Sequence, residues 1–208
     1  MRVSHGIVSK TNMVLCVLLN LTATSPPLGP SPLETLICSD EAYVELLTAD
    51  IRFDALDILS KFGKPYIVMR TFSKAYGLAG VRIGYAICSD AQLINAMMQT
   101  PSAFGVNALA ATDAAEAIRD TDHLDKVVVH ATFKCQTVTA AMDAKGIGNV
   151  TSHSNCVFCD TGADAGILAE KMWLIGIMIK AWKETLYENR ARDTMGTTRE
   201  NDLFLAAL

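Results

Sequence analysis

Apolar positions recur along this chain at two spacings, and the two alternate. Short continuous runs at 36–39 (Leu-Ile-Cys-Ser) and 66–69 (Tyr-Ile-Val-Met) predict buried strands. Residues 81–88 are also β-prone, with Gly84 inside the run, and 156–159, 176–179 and 192–195 predict later strands. Between these runs the period lengthens. Over 54–62 the residues Leu56, Leu59 and Phe62 keep helical spacing until Gly63 and Pro65 stop it. Residues 91–99, 107–118 and 123–144 predict further helices rich in Ala and Met, the last closed by Gly146 and Gly148. A helix is predicted over 165–173. Thr197 and Glu200 form a capping-box pattern that opens a final helix over 201–208. This alternation predicts an α/β fold. The polar-studded helix at about 121–145 is the natural link between two domains, 1–120 and 121–208. The chain shows no internal repeat.

Half of the residues are hydrophobic and 19% are charged, which excludes disorder as the default. Thirteen Gly and six Pro leave no room for a collagen-like or low-complexity chain. The balance of 18 basic against 22 acidic residues lacks the basic footprint of a nucleic-acid partner. The longest apolar run, 13–19, ends at Asn20 and falls short of the roughly 20 residues a membrane helix takes. With Lys10 before it and Ala23 after, the run carries a faint leader pattern, but its long polar lead favours a buried strand. No membrane partner is expected.

Cysteines stand at 16, 38, 88, 135, 156 and 159, mostly in apolar surroundings. That usage predicts reduced core thiols and a cytoplasmic protein. Cys156 and Cys159, with His153 nearby, offer a CxxC pattern. On a strand they point to opposite faces and cannot share an ion, and no second pair completes a site, so no metal is expected.

Two predicted strands end in reactive groups, which is where open α/β sheets bind ligands. Asp40, Glu41 and Tyr43 follow the run at 36–39. Ser73 and Lys74 follow the run at 66–69, in what reads as a polar loop from Arg70 to Lys74. An amine beside a carboxylate suits pyridoxal phosphate, which needs a lysine for its aldehyde and an acid for its ring nitrogen. Taken alone, Asp40 and Glu41 also read as capping or solvated carboxylates, Arg82 as an ion-pair partner, and Arg192 as the partner of Asp193 or Glu188. Residues His123, His130 and His153 have no obvious catalytic partner.

The segment 71–85, Thr-Phe-Ser-Lys-Ala-Tyr-Gly-Leu-Ala-Gly-Val-Arg-Ile-Gly-Tyr, closely resembles the lysine signature of fold-type I pyridoxal-phosphate aminotransferases of class I/II. Within these it is most similar to the histidinol-phosphate aminotransferases. The motif at 39–43, and the strands near 152–158, 176–182 and 191–197, follow in the family's order. The resemblance implies that Lys74 holds the cofactor covalently and serves as catalytic base and acid. It places Asp40 on the ring nitrogen, Tyr43 on the ring oxygen, and Ser73 and Arg82 on the phosphate. Glycines 77, 80 and 84 would let the backbone pass close to the cofactor. Arg192 would bind the substrate carboxylate, Lys180 a substrate phosphate where relatives use Arg, and Asn155 would contribute from the small-domain strand.

The implied fold is a partial large domain of mostly parallel sheet with helices, followed by a small α+β carboxyl-terminal domain. The implied reaction is transamination between L-histidinol phosphate and 2-oxoglutarate in histidine biosynthesis, by a cytoplasmic homodimer. Family chains extend further at the amino end. Residues 14–29 resemble a reduced form of the family's strand and Asn-Pro-Thr-Gly loop, with Pro26 where Asn is expected and Pro27 and Gly29 retained. Asp193 sets a charge beside Arg192 in a strand expected to be apolar. Two alternatives stand beside this reading. One is another fold-type I enzyme, such as a phospho-amino-acid decarboxylase or a different aminotransferase. The other is an inactive truncated fragment that exposes a strand edge.

Overall fold

The computed structural model describes residues 36–99 and 105–208. The strand and leader readings at 13–19, and the loop resemblance at 14–29, lie outside the described residues. The chain divides into two compact units, Met1–Thr121 and Asp122–Leu208.

The first unit holds β1 (Ile37–Asp40), β2 (Tyr66–Thr71) and β3 (Gly84–Cys88) in the order β1-β2-β3. β1 and β2 run parallel, whereas β3 returns antiparallel to β2. The connection from β1 to β2 contains α1 (Ala55–Ser60). Asp54 starts this helix by accepting the Leu56 and Asp57 N–H groups at 2.9 and 3.2 Å, which satisfies donors that the first turn leaves open. Ala55 and Leu59 face inward and meet Ile37 and Val68 in a small core. After β3, α2 (Ala91–Met98) and α3 (Ala108–Ala117) start at Asp90 and Asn107, whose side chains cap them. α2 buries none of its residues, and Met98 and Leu109 are largely exposed.

The second unit opens with α4 (Thr121–Ala144), then β4 (Asn149–Val150), β5 (Cys156–Asp160), α5 (Ala165–Leu174), β6 (Lys180–Ala181), β7 (Arg190–Thr194) and α6 (Thr198–Ala207). Its sheet has the order β4-β5-β7-β6, with every described pairing antiparallel. On α4 the buried residues are Ala131, Cys135, Val138 and Met142, a stripe at helical spacing. The last three join Val157, Cys159, Met172, Ala191 and Phe204 in a continuous core.

Helix ends account for one correction. The strand expected at 176–179 begins only at Lys180. Gly176, at φ +81°, ends α5 in the left-handed region, and the Gly176 and Ile177 N–H groups bond back to Trp173 and Met172. These residues close the helix and cannot yet pair as a strand. The last helix starts at Thr198, directly after Thr197, and both arms of the capping box are formed. The five described cysteines are free, and burial pushes the Cys135 and Cys159 thiols up to about 11. Cys156 and Cys159 lie in β5 on opposite faces. Among the described residues no helix is long and apolar enough to cross a membrane.

Candidate active site

Parallel pairing brings the carboxyl ends of β1 and β2 to one edge of the first sheet. Asp40, the last residue of β1, stands opposite Met69. It is exposed, and its Oδ1 accepts the Ala42 N–H at 3.0 Å, which starts the turn that carries Tyr43. β2 runs into a tight loop. Thr71 Oγ1 accepts the Ser73 N–H at 3.1 Å. The Gly77 N–H bonds to Lys74 O and the Leu78 N–H to Phe72 O, both at 2.9 Å. Gly77 has φ +72°, a conformation that favours glycine. The result sets Lys74 Nζ 5.1 Å from the centroid of the Tyr43 ring, within cation–π range.

Because β3 is antiparallel to β2, the chain entering it arrives at the same edge. Arg82 is therefore there too, just before Gly84, which pairs with Thr71. Arg82 has φ 57°, uncommon for a residue with a side chain and costing about 1 kcal/mol or more. Its guanidinium is exposed, donates to Ala79 O at 3.0 Å, and forms no ion pair among the described residues. Gly84 has a structural reason within the sheet itself. A Cβ there would stand 2.7 Å from the Arg70 carbonyl oxygen, so the tight neighbour is the adjacent strand. Thus Asp40, Tyr43, Ser73, Lys74 and Arg82 share one sheet edge.

Behind that edge lies a group of charges that sequence reading missed. Glu41 is neither a cap nor a solvated acid. It is buried, and its Oε2 accepts from Arg70 Nε at 2.7 Å. Arg70 belongs to β2 and not to the expected loop. Burial opposes its charge, but Tyr85 and Glu41 outweigh that and hold the guanidinium above its ordinary range. Glu45 is also buried, and burial pushes its carboxyl up against the pull of Arg70 and Arg52. Glu41 Oε1 and Glu45 Oε2 find no hydrogen-bond partner among the described residues. The available signals were a charged residue at the end of an apolar run and, 25 to 29 positions earlier, two acids spaced four apart.

In the second unit, register sets the remaining candidates. Lys180 of β6 stands directly opposite Arg192 of β7, and Phe158 of β5 flanks Arg192 on its other side. Phe158 meets Trp182 edge-on at 6.0 Å. Asn155 precedes β5, and its carbonyl accepts the Met195 N–H at 2.8 Å. Neither expected competitor holds Arg192. Asp193 is the next residue along β7 and so faces the core, with 7% exposure. Burial pushes its carboxyl up to about 6, although the Thr194 backbone supports the charge. Glu188 makes no ion pair among the described residues, whereas Arg190 pairs with Asp160 at 3.2 Å.

Residues 33–208 match the family model described as aminotransferase class I and II. The chain is 38% identical over 175 residues to histidinol-phosphate aminotransferase 3 of Rhizobium meliloti (strain 1021), covering 84% of this chain and 47% of that protein. It is 33% identical over 176 residues to an aromatic amino acid aminotransferase of Rhodococcus jostii (strain RHA1), covering 84% of this chain and 47% of the relative. Its fold superposes on a histidinol-phosphate aminotransferase of Sinorhizobium meliloti, solved in complex with pyridoxal-5'-phosphate, with a TM-score of 0.75. That match has 30% identity and covers 85% of this chain and 48% of the other. The chain thus spans about half the length of the curated relatives it matches. With its α/β fold and this match over most of its length, the chain belongs to the class I and II aminotransferase family.

Proposed function

We propose that this chain bears the lysine site of a pyridoxal-phosphate-dependent aminotransferase. The reaction converts L-histidinol phosphate and 2-oxoglutarate to imidazole acetol phosphate and glutamate. The observation that carries this reading is the Lys74 amine against the Tyr43 ring, at a sheet edge that also bears Asp40, Ser73 and Arg82. The donor set fits the cofactor. It offers an amine for an aldehyde, a carboxylate for a pyridine N–H, a phenol for a ring oxygen, and a hydroxyl and a guanidinium for a phosphate. Pyridoxal phosphate, when bound, supplies a covalent hold on the amino group and a ring that spreads negative charge.

Each residue then has a separate task. Asp40 accepts the ring N–H and keeps that proton in place. Lys74, as general base, takes the proton from the substrate's amine-bearing carbon onto Nζ and holds it for return. Arg192 presents a fork to the substrate carboxylate, and Lys180 meets a phosphate as a point charge. Their direct cross-strand pairing supports this, since two facing cations repel and an anion relieves the repulsion. Asn155 adds a neutral hydrogen-bonding group for substrate. The enzyme acts as a homodimer in the cytoplasm. The large-domain role of residues 1–120 and the small-domain role of 121–208 belong to the same proposal.

A second reading, with an aromatic amino acid as donor, draws on the Rhodococcus relative. Mixing the full chain with pyridoxal phosphate, reducing with borohydride and mapping the labelled peptide tests the site. Label on Lys74, absent in Lys74→Ala, is the expected result; no label in a folded sample overturns the proposal. Glutamate formation from 2-oxoglutarate with histidinol phosphate, against phenylalanine, then separates the two donors.

A further inference from the structure

The charged group behind the strand ends takes no part in the chemistry proposed above. Strand alternation turns it away from Asp40. Asp40 shares its register position with Met69, so Arg70 lies on the opposite face, where Glu41 meets it. Tyr85, opposite Arg70 on β3, supports the same guanidinium. One side chain therefore ties together the turn after β1, the strand leading to Lys74, and the strand that Arg82 precedes. The Glu41 N–H adds a bond to Met69 O at 2.9 Å. Aromatic contacts extend the tie into the lysine loop, because the buried Phe72 ring lies 5.7 Å from Tyr85 and 4.9 Å from Tyr76.

An exposed ion pair of this length would matter little. Here the Glu41 side chain is 4% exposed and that of Arg70 24%, so losing Arg70 strands a buried carboxylate, and losing Glu41 removes the acid that holds a half-buried guanidinium. The pair spans the two segments whose spacing sets Lys74 against Tyr43.

We infer that Arg70, held by Glu41, is a positioning residue for cofactor binding: it sets the turn bearing Asp40 and Tyr43 against the loop bearing Ser73 and Lys74. The cofactor part rests on the function proposed above; the loop-ordering part does not.

The test compares full chains carrying Arg70→Met, Arg70→Lys or Glu41→Gln, with and without pyridoxal phosphate. Arg119→Met is the control, since it breaks only the exposed pair with Glu116. Amide hydrogen exchange is read at Gly77 and Leu78, whose N–H groups close the lysine loop. Arg70→Met and Glu41→Gln should speed that exchange about tenfold or more, weaken cofactor binding by a similar factor, and move the pH midpoint of the visible absorbance band of the bound cofactor. Arg70→Lys should recover only part, because an ammonium lacks the planar fork. Arg119→Met should change none of these.

Unchanged loop exchange and an unchanged band midpoint in folded Arg70→Met would overturn the inference. If Arg70→Met does not fold, the near-isosteric Glu41→Gln decides on the same readings. If the wild-type chain gives no visible band, the cofactor reading fails. Exchange alone then decides the loop-ordering part: faster exchange upholds it and unchanged exchange overturns it.

Discussion

In the first unit the candidate side chains stand at strand ends and in the loops that follow, whereas in the second Lys180 and Arg192 stand on strands within the sheet. Lys74 and Tyr43 meet through two separate turns, and neither residue lies in a paired strand. Arg192 and Lys180 meet because register puts them opposite each other. A strand-face position needs only the ladder and the alternation of side chains. A strand-end position needs an anchor, and Glu41 with Arg70 supplies one. The same contrast holds for buried charge. Glu41 has a guanidinium at 2.7 Å, while Asp193, buried in the second unit, has among the described residues backbone support from Thr194 and no ion pair.

The largest expected effect separates chemistry from folding. On the function proposed above, Lys74→Ala should remove all transamination and all cofactor labelling. Its urea midpoint should match that of the parent chain, because Lys74 is only partly buried and belongs to neither core. Phe204→Ala should do the reverse. Phe204 is fully buried in the second core, and truncating it should cost about 3–5 kcal/mol in urea unfolding. Hydrogen exchange of the lysine loop should stay as in the parent, since the core it disrupts belongs to the other unit.

Asp193 sharpens the contrast between paired and unpaired buried acids. Its carboxyl is raised from 3.8 to about 6 in the fold. Across that window the folded chain keeps a proton that the unfolded chain has released, so stability falls as pH rises and levels off above about 6. Asp193→Asn should remove this dependence. It should stabilise the chain by up to roughly 3 kcal/mol at pH 7 and give no titration gain at pH 3, read by denaturant unfolding across pH. The smallest expected effect is at a helix start. Thr197→Ala should cost about 1 kcal/mol of second-unit stability by loss of the cap on α6, and it should leave cofactor binding unchanged.

Much of this was legible in the sequence where the cause is local. Asp54 before α1 and Thr197 with Glu200 before α6 each act within a few residues, so their caps could be read directly. The α4 stripe was visible in the period of its apolar positions. Lys74 stood out because its signature is dense and continuous. Arg70 was misread as loop, and Glu41 as cap or solvated acid, because each depends on the other across 29 positions of chain. The alternative partner of Arg192, Asp193, fails for a related reason. Asp193 is its neighbour in sequence, but a strand sends adjacent side chains to opposite faces. The strand expected at 176–179 gave way to the closing turn of α5, a competition that apolar runs do not reveal.

By itself the sequence determined the α/β alternation, the helix starts and the family signature around Lys74, since propensity, capping and motif spacing all act over short stretches. Only the tertiary structure decided that β3 returns antiparallel, so that Arg82 reaches the edge already occupied by Asp40 and Lys74. It alone set Lys180 against Arg192 and Glu41 against Arg70. Pairing and burial are properties of residues distant in sequence. Their energies depend on which face and which neighbour the register selects, and no local pattern encodes that choice.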